Sequence, residues 1–136
     1  MEGGSGKGVI LKVLRAIVGE RNWYASTLQA LSSRFEIANM RHKKVVCLPE
    51  MEYRPWKGEE EYNRSMDTLK KITGRDAVGV EIKHQQLAYD AELHCAVIAA
   101  SNSLTAFPRD GEEGTAWGRR LVVIPTPPPI ENLTRL

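Results

Sequence analysis

Apolar residues at positions 9, 10, 13, 14, 17 and 18 fall on one helical stripe, so residues 9–18 predict an amphipathic helix directly behind the glycine-rich opening MEGGSGKG. Gly19 stands where such a helix stops. Ser26-Thr27-Leu28-Gln29 has capping-box spacing and predicts a second helix over about 27–35. The run Lys44-Val45-Val46-Cys47-Leu48, closed by Pro49, has the β-branched character of a strand buried in a parallel sheet. Residues 54–58 are expected to be loop, and residues 59–72 a helix with acidic residues in its first turn, lysines in its last and Gly74 as its end. Val78-Gly79-Val80-Glu81-Ile82 alternates with period two and leads into the polar stretch 83–86, which predicts a hairpin. Residues 93–100 are the most apolar strand candidate and run into Ser101-Asn102. A loop rich in Pro, Asp and Gly follows, then a short turn around Trp117, a last strand over 121–124 and the prolines at 127–129. Strands alternating with helices predict an α/β layered sheet in which the hairpin is an insertion.

Composition narrows this picture without changing it. The 136 residues suit one domain, able to bury about two-thirds of the surface its unfolded chain exposes. Hydrophobic residues at 42% and charged residues at 26% exclude a disordered or fibrous chain. No apolar run approaches the roughly 20 residues that span a bilayer, and the opening lacks a basic-then-apolar signal pattern, so a cytoplasmic protein without membrane contact is expected. Cys47 and Cys95 sit in apolar runs, out of metal-ligand spacing, and are expected to be reduced core residues. Trp23, Trp56 and Trp117 are assigned to packing rather than base stacking. A net charge of +2 exerts no bulk pull on a polyanion. Local clusters matter more: Arg41 with Lys43 and Lys44, read as a solvated rim; Lys70, Lys71 and Arg75; Lys83 with His84; Arg119 with Arg120.

Three segments carry candidate chemistry. A phosphate-binding loop needs glycines that let backbone N–H groups face the anion, a lysine, and a helix N-terminus behind them. Gly3, Gly4, Ser5, Gly6, Lys7 and Gly8 ahead of the first helix meet that need, although a Gly/Ser linker before a helix would look the same. Glu50 follows an apolar strand, where a P-loop ATPase places an acid that polarises water or holds metal; a solvated strand-end glutamate is the plain alternative. Asn102 repeats the arrangement after the second apolar strand, where it could orient the attacking water or simply form a turn.

The order of these segments resembles the superfamily 3 helicases of the AAA+ class, in particular the helicase part of phage and plasmid primase-helicases. The resemblance runs from Gly3 to about Pro125. GGSGKG (3–8) is similar to Walker A, KVVCLPE (44–50) to the Walker B strand, LKKITGRDAVGVEIKH (69–84) to the B′ motif, CAVIAASN (95–102) to motif C with its sensor asparagine, and WGRRLVVIP (117–125) to the arginine-finger segment. It implies a P-loop AAA+-like parallel sheet flanked by helices, and a homo-oligomer, a hexameric ring, that couples ATP hydrolysis with Mg²⁺ to movement along single-stranded DNA. Gly3 to Gly8 would hold the nucleotide, Glu50 the metal or the water, and Asn102 would sense the γ-phosphate. Arg120, or Arg119 beside it, would reach the neighbour's nucleotide. Lys83 and His84 match the tip of the hairpin that grips DNA, and an exposed Lys-His pair suits phosphate contact. A primase domain or other replication proteins would be the partners.

Three departures accompany the resemblance. The first glycine of G-x-x-x-x-G-K-[ST] would fall on Met1, Gly8 replaces the hydroxyl residue, and Pro49 takes the place of the usual Walker B aspartate. The family's strand before Walker A has no counterpart here, so the expectation is a single helicase-like core over 1–136 that is a fragment lacking that strand. The rival expectations are a catalytically impaired remnant that binds DNA or assembles without turnover, and a small-molecule phosphotransferase, for which no acceptor site is apparent.

Overall fold

A computed structural model describes residues 5–51, 58–103 and 107–127. The apolar stripe of the opening segment forms α1 (Lys7–Val18), entered through Gly6 in the left-handed region (φ 77°) and closed by Gly19 (φ 91°), whose N–H caps the Arg15 carbonyl. Leu11, Leu14 and Val18 turn inward onto Trp23, Val45 and Cys47, whereas Val9, Ile10, Val13 and Ile17 remain exposed. A tight turn at Glu20–Asn22 leads into β1 (Trp23–Ala25), a strand absent from the hydrophobic pattern because three residues are too few to display a period.

The second predicted helix is displaced. Gln29–Ser32 makes a single tight 3-10 turn, Ser33 is extended, and α2 spans Arg34–Asn39. The expected capping box fails because the Ser26 hydroxyl donates to Glu36 Oε1 (2.7 Å) instead of capping. Thr27 Oγ1 takes the cap role and accepts the Ala30 N–H at 3.1 Å.

β2 (Val45–Leu48) is buried at all four residues. Val46 and Leu48 join the main core of Leu28, Leu31, Ile37, Met40, Met66, Leu69 and Ile72, while Val45 and Cys47 join the smaller cluster under α1. Helices therefore cover both faces, which explains the unbroken apolar run. Its neighbours are β1 and β5 (Ala96–Ala99), giving a three-stranded, wholly parallel sheet of order β1-β2-β5. The fold is thus α/β with a parallel sheet flanked by helices. Among the described residues no strand pairs with the outer edge of β5, and its Ala96 and Ala99 are exposed.

Between β2 and β5 lie α3 (Glu59–Gly74) and the predicted hairpin, β3 (Ala77–Ile82) and β4 (Leu87–Glu92), in antiparallel register from Ala77↔Glu92 to Ile82↔Leu87. α3 ends one step later than expected: Arg75 takes the left-handed conformation (φ 60°), and its N–H caps Ile72 and Lys71 carbonyls.

The C-terminal part differs most from the pattern. The turn expected around Trp117 is a helix, α4 (Gly111–Gly118), in which a Cβ on Gly114 would lie 2.4 Å from the Arg109 carbonyl carbon. Trp117 is buried against Phe107, with ring centroids 4.9 Å apart. Residues 121–124 form no strand: Leu121 packs on the core, but Val122 and Ile124 are 90% and 81% exposed. Sequence character alone does not make a strand where no sheet edge receives it. Cys95 likewise precedes β5 rather than lying within it and is half-buried; Cys47 is buried, and both are free thiols. Trp56 and most of the expected 54–58 loop lie outside the described residues. Among the described residues no helix is long and apolar enough to cross a membrane.

Candidate functional site at the carboxyl ends of the parallel strands

In a parallel sheet the carboxyl ends of the strands border the crevice where ligands of open α/β folds bind. Here the segments leaving β2 and β5 are tied together. The Ala100 N–H donates to the Leu48 carbonyl (3.0 Å), the Met51 N–H donates to the Ala100 carbonyl (2.8 Å), and the Ser101 hydroxyl donates to the Met51 carbonyl. Glu50 and Asn102 therefore stand on neighbouring strand ends, both exposed, with Pro49 in the turn before Glu50. The sequence separates them by 52 residues; the parallel pairing of β2 with β5 brings them to one edge.

α1 carries the remaining candidate residues. It joins β1 through only residues 19–22, and its Leu11, Leu14 and Val18 pack on Trp23, Val45 and Cys47 of the sheet. The first N–H groups of a helix have no partner within it, and Gly6 brings no side chain to cap them. A left-handed glycine ahead of a helix N-terminus makes a concave backbone cradle suited to a phosphate group. Lys7 is half-buried, and its Nζ donates to Ser5 Oγ at 2.7 Å, folding the ammonium back over the loop. A Cβ built on Gly8 meets nothing within 4 Å among the described residues, so these leave space for the missing hydroxyl. Gly3 and Gly4 lie outside the described residues.

Among the described residues no group of three or more His, Cys, Asp or Glu is placed to hold a metal. Mg²⁺ needs fewer protein ligands, since one or two carboxylates plus substrate phosphates suffice, and Glu50 is the carboxylate at this edge.

The other candidates lie elsewhere. Lys83 and His84 are exposed in the turn of the β3–β4 hairpin, His84 with φ 66°. Lys83 Nζ sits 5.4 Å from the centre of the Phe35 ring, across a cavity of about 380 Å³ between the hairpin and α2. Glu36 in that cavity is held by the Tyr24 hydroxyl (3.0 Å) and the Ser26 hydroxyl. Arg119 and Arg120 were expected just before a strand; they instead follow α4, both exposed, with Arg120 Nη1 donating to the Ala116 carbonyl at 2.9 Å. They share no element with Lys7, Glu50 or Asn102.

One constellation escaped the pattern. Arg41 Nη1 donates to the Tyr89 hydroxyl, with the guanidinium carbon 5.8 Å from the ring centre, although 48 residues separate them. No local signal announces such a pair. Burial also pushes the Cys47 and Cys95 thiols up from their ordinary pKa, which favours the neutral thiol over the reactive thiolate.

Residues 1–120 match the sequence family described as a family of unknown function (DUF5906). The chain belongs to this family. The DUF5906 match takes in every candidate residue from Gly3 to Arg120 and stops where the exposed segment 121–124 begins.

Proposed function

We propose that this member of DUF5906 is the ATP-hydrolysing core of a ring-forming, helicase-like translocase on single-stranded DNA, of the kind found in phage and plasmid replication proteins. The observation that carries the reading is the parallel order β1-β2-β5, which sets Glu50 and Asn102 just beyond the neighbouring ends of β2 and β5, with the glycine-rich entry to α1 as the candidate phosphate loop. In this reading the Gly6–Lys7 loop holds the phosphates, and Lys7 leaves Ser5 to reach their outer oxygens. Glu50 orients the water or a Mg²⁺ ion, whose contribution is to neutralise phosphate charge. Asn102 hydrogen-bonds beside the attacked phosphorus, Arg120 acts on a neighbour's nucleotide, and Lys83 and His84 contact the DNA backbone.

The test is Lys7→Ala. Lys7 contributes nothing to either core cluster, so the variant should keep the circular dichroism spectrum and melting profile while losing ATP binding in calorimetry. Unchanged ATP affinity in a folded variant refutes the phosphate-loop assignment. Gly8 and Pro49 favour a second reading, a module that binds nucleotide and DNA without turnover. Phosphate release stimulated by single-stranded DNA separates the two.

A further inference from the structure

Arg41 lines two cavities at once. One is the cavity shared with Lys83 at the hairpin tip. The other, of about 340 Å³, lies between residues 41–44, which lead into β2, and residues 89–94, which leave β4. The second cleft gathers Arg41, Lys43, Lys44, His42 and His94 around Tyr89, against Glu92 as its one carboxylate among the described residues. Its cations are positioned. Arg41 is fixed from two sides, by Tyr89 and by its Nε donating to the Ala38 carbonyl (3.1 Å). Lys43 Nζ donates to the Arg21 carbonyl (3.1 Å), and the Lys44 main chain bridges β1 and β5 through Asn22 and Ala96. Glu92 is drawn toward His94 Nε2 at 3.3 Å.

The cleft sits at the amino ends of the strands, the opposite edge from Glu50 and Asn102. It is therefore separate from the candidate nucleotide site. It adjoins the hairpin instead: Tyr89, Ala91 and Glu92 of β4 line it, and Arg41 lines both this cleft and the cavity at the hairpin tip. Glu36 and Glu81 border the hairpin end of this path, but Glu36 is occupied by Tyr24 and Ser26. Cations thus line two neighbouring cavities on either side of Arg41, an arrangement suited to a chain with evenly repeated negative charge rather than to a single small anion.

We propose that the Arg41–Lys44 cleft is a second backbone-phosphate contact for the single strand held at Lys83 and His84. The proposal rests on the DNA-binding reading of the hairpin. Lys43 and Lys44 contact the phosphates from the rim, while Arg41, held by Tyr89, contacts them from the floor.

The experiment measures anisotropy of a labelled oligothymidylate with the full chain over a range of salt. Lys43→Gln with Lys44→Gln should weaken binding and lower the salt slope by about 1.4, at roughly 0.7 per lost phosphate contact on a single strand. Lys44→Gln alone, an exposed change with no side-chain packing, should lower it by about 0.7 if the pair perturbs folding. Lys71→Gln with Arg75→Gln removes equal charge at the end of α3 and should leave the slope unchanged. An equal loss in that control reduces the effect to bulk charge and overturns the cleft. Wild-type affinity and slope in the Lys43/Lys44 variant, alongside weakened binding in Lys83→Ala with His84→Ala, overturn the cleft and leave the hairpin standing. Weakened binding of polyglutamate with unchanged oligothymidylate binding assigns the cleft to an acidic protein and overturns the proposal. No binding by the unaltered chain overturns the hairpin reading and the cleft together.

Discussion

Replacing Gly8 by Ser asks two questions of one position. Gly8 is exposed in the first turn of α1, and a Cβ there meets nothing within 4 Å among the described residues, so the substitution introduces no clash with them. Glycine lies about 1 kcal/mol below alanine in helix propensity and serine falls between them, so Gly8→Ser should stabilise by about 0.5 kcal/mol and Gly8→Ala by about 1. For a chain of this size that raises the melting temperature by roughly 1–3 °C and 2–6 °C respectively. Alanine supplies the Cβ without the hydroxyl, so the two variants separate backbone gain from chemistry. If Gly8 stands where P-loop ATPases place the hydroxyl that holds Mg²⁺, serine alone should lower the Mg²⁺ concentration needed for half-maximal phosphate release, by about tenfold for about 1.4 kcal/mol from a charge-assisted contact. Thermal melts and phosphate release across a Mg²⁺ titration measure both effects. A lower melting temperature for Gly8→Ala would refute the open space at this turn. Identical Mg²⁺ titrations for the serine and alanine variants would refute the placement of Gly8 beside a nucleotide.

Two further expectations test other parts of the molecule. Arg120→Ala should retain ATP binding while hydrolysis falls by about 10³–10⁵. Mixing it with Lys7→Ala subunits should recover part of the activity, because each supplies what the other lacks; near-normal hydrolysis, or no recovery on mixing, refutes action across an interface. Burial raises the Cys47 and Cys95 thiols and the Tyr24 and Tyr62 phenols, so each favours its neutral form in the fold. Their contribution is complete below the unfolded values of about 8.5 and 10, and is lost as pH climbs above them. Urea midpoints should therefore fall from pH 8 to pH 10.5, and a flat midpoint would refute the assignment.

The elements with a complete local signal were legible. β2 is apolar without interruption because helices cover both its faces, and β3 alternates because only part of it is buried. The signals failed where a distant group won a competition. Glu36 captured the Ser26 hydroxyl and dissolved the capping box, while Thr27 moved the start of the turn. Residues 121–124 have strand character but meet no ladder, and β1 has a ladder but too few residues to advertise it. At the candidate site, residue types and order were readable for Lys7, Glu50 and Asn102, because each adjoins the end of a recognisable element. The Arg41–Tyr89 pairing was not, since it arises only when β4 is laid beside the entry to β2.

The outer edge of β5, unpaired among the described residues, carries a practical consequence for handling this protein. Its sequence, Ala-Val-Ile-Ala, has no lysine, glutamate or proline to discourage another strand, and a net charge of +2 leaves little long-range repulsion between molecules. Edge-to-edge capture is a two-body event, so its rate rises with the square of concentration. Dilute stocks kept at a pH that adds charge should remain clear, whereas concentrated ones near neutrality should scatter light first, and ageing of a preparation will report on this edge before any assay of the site does.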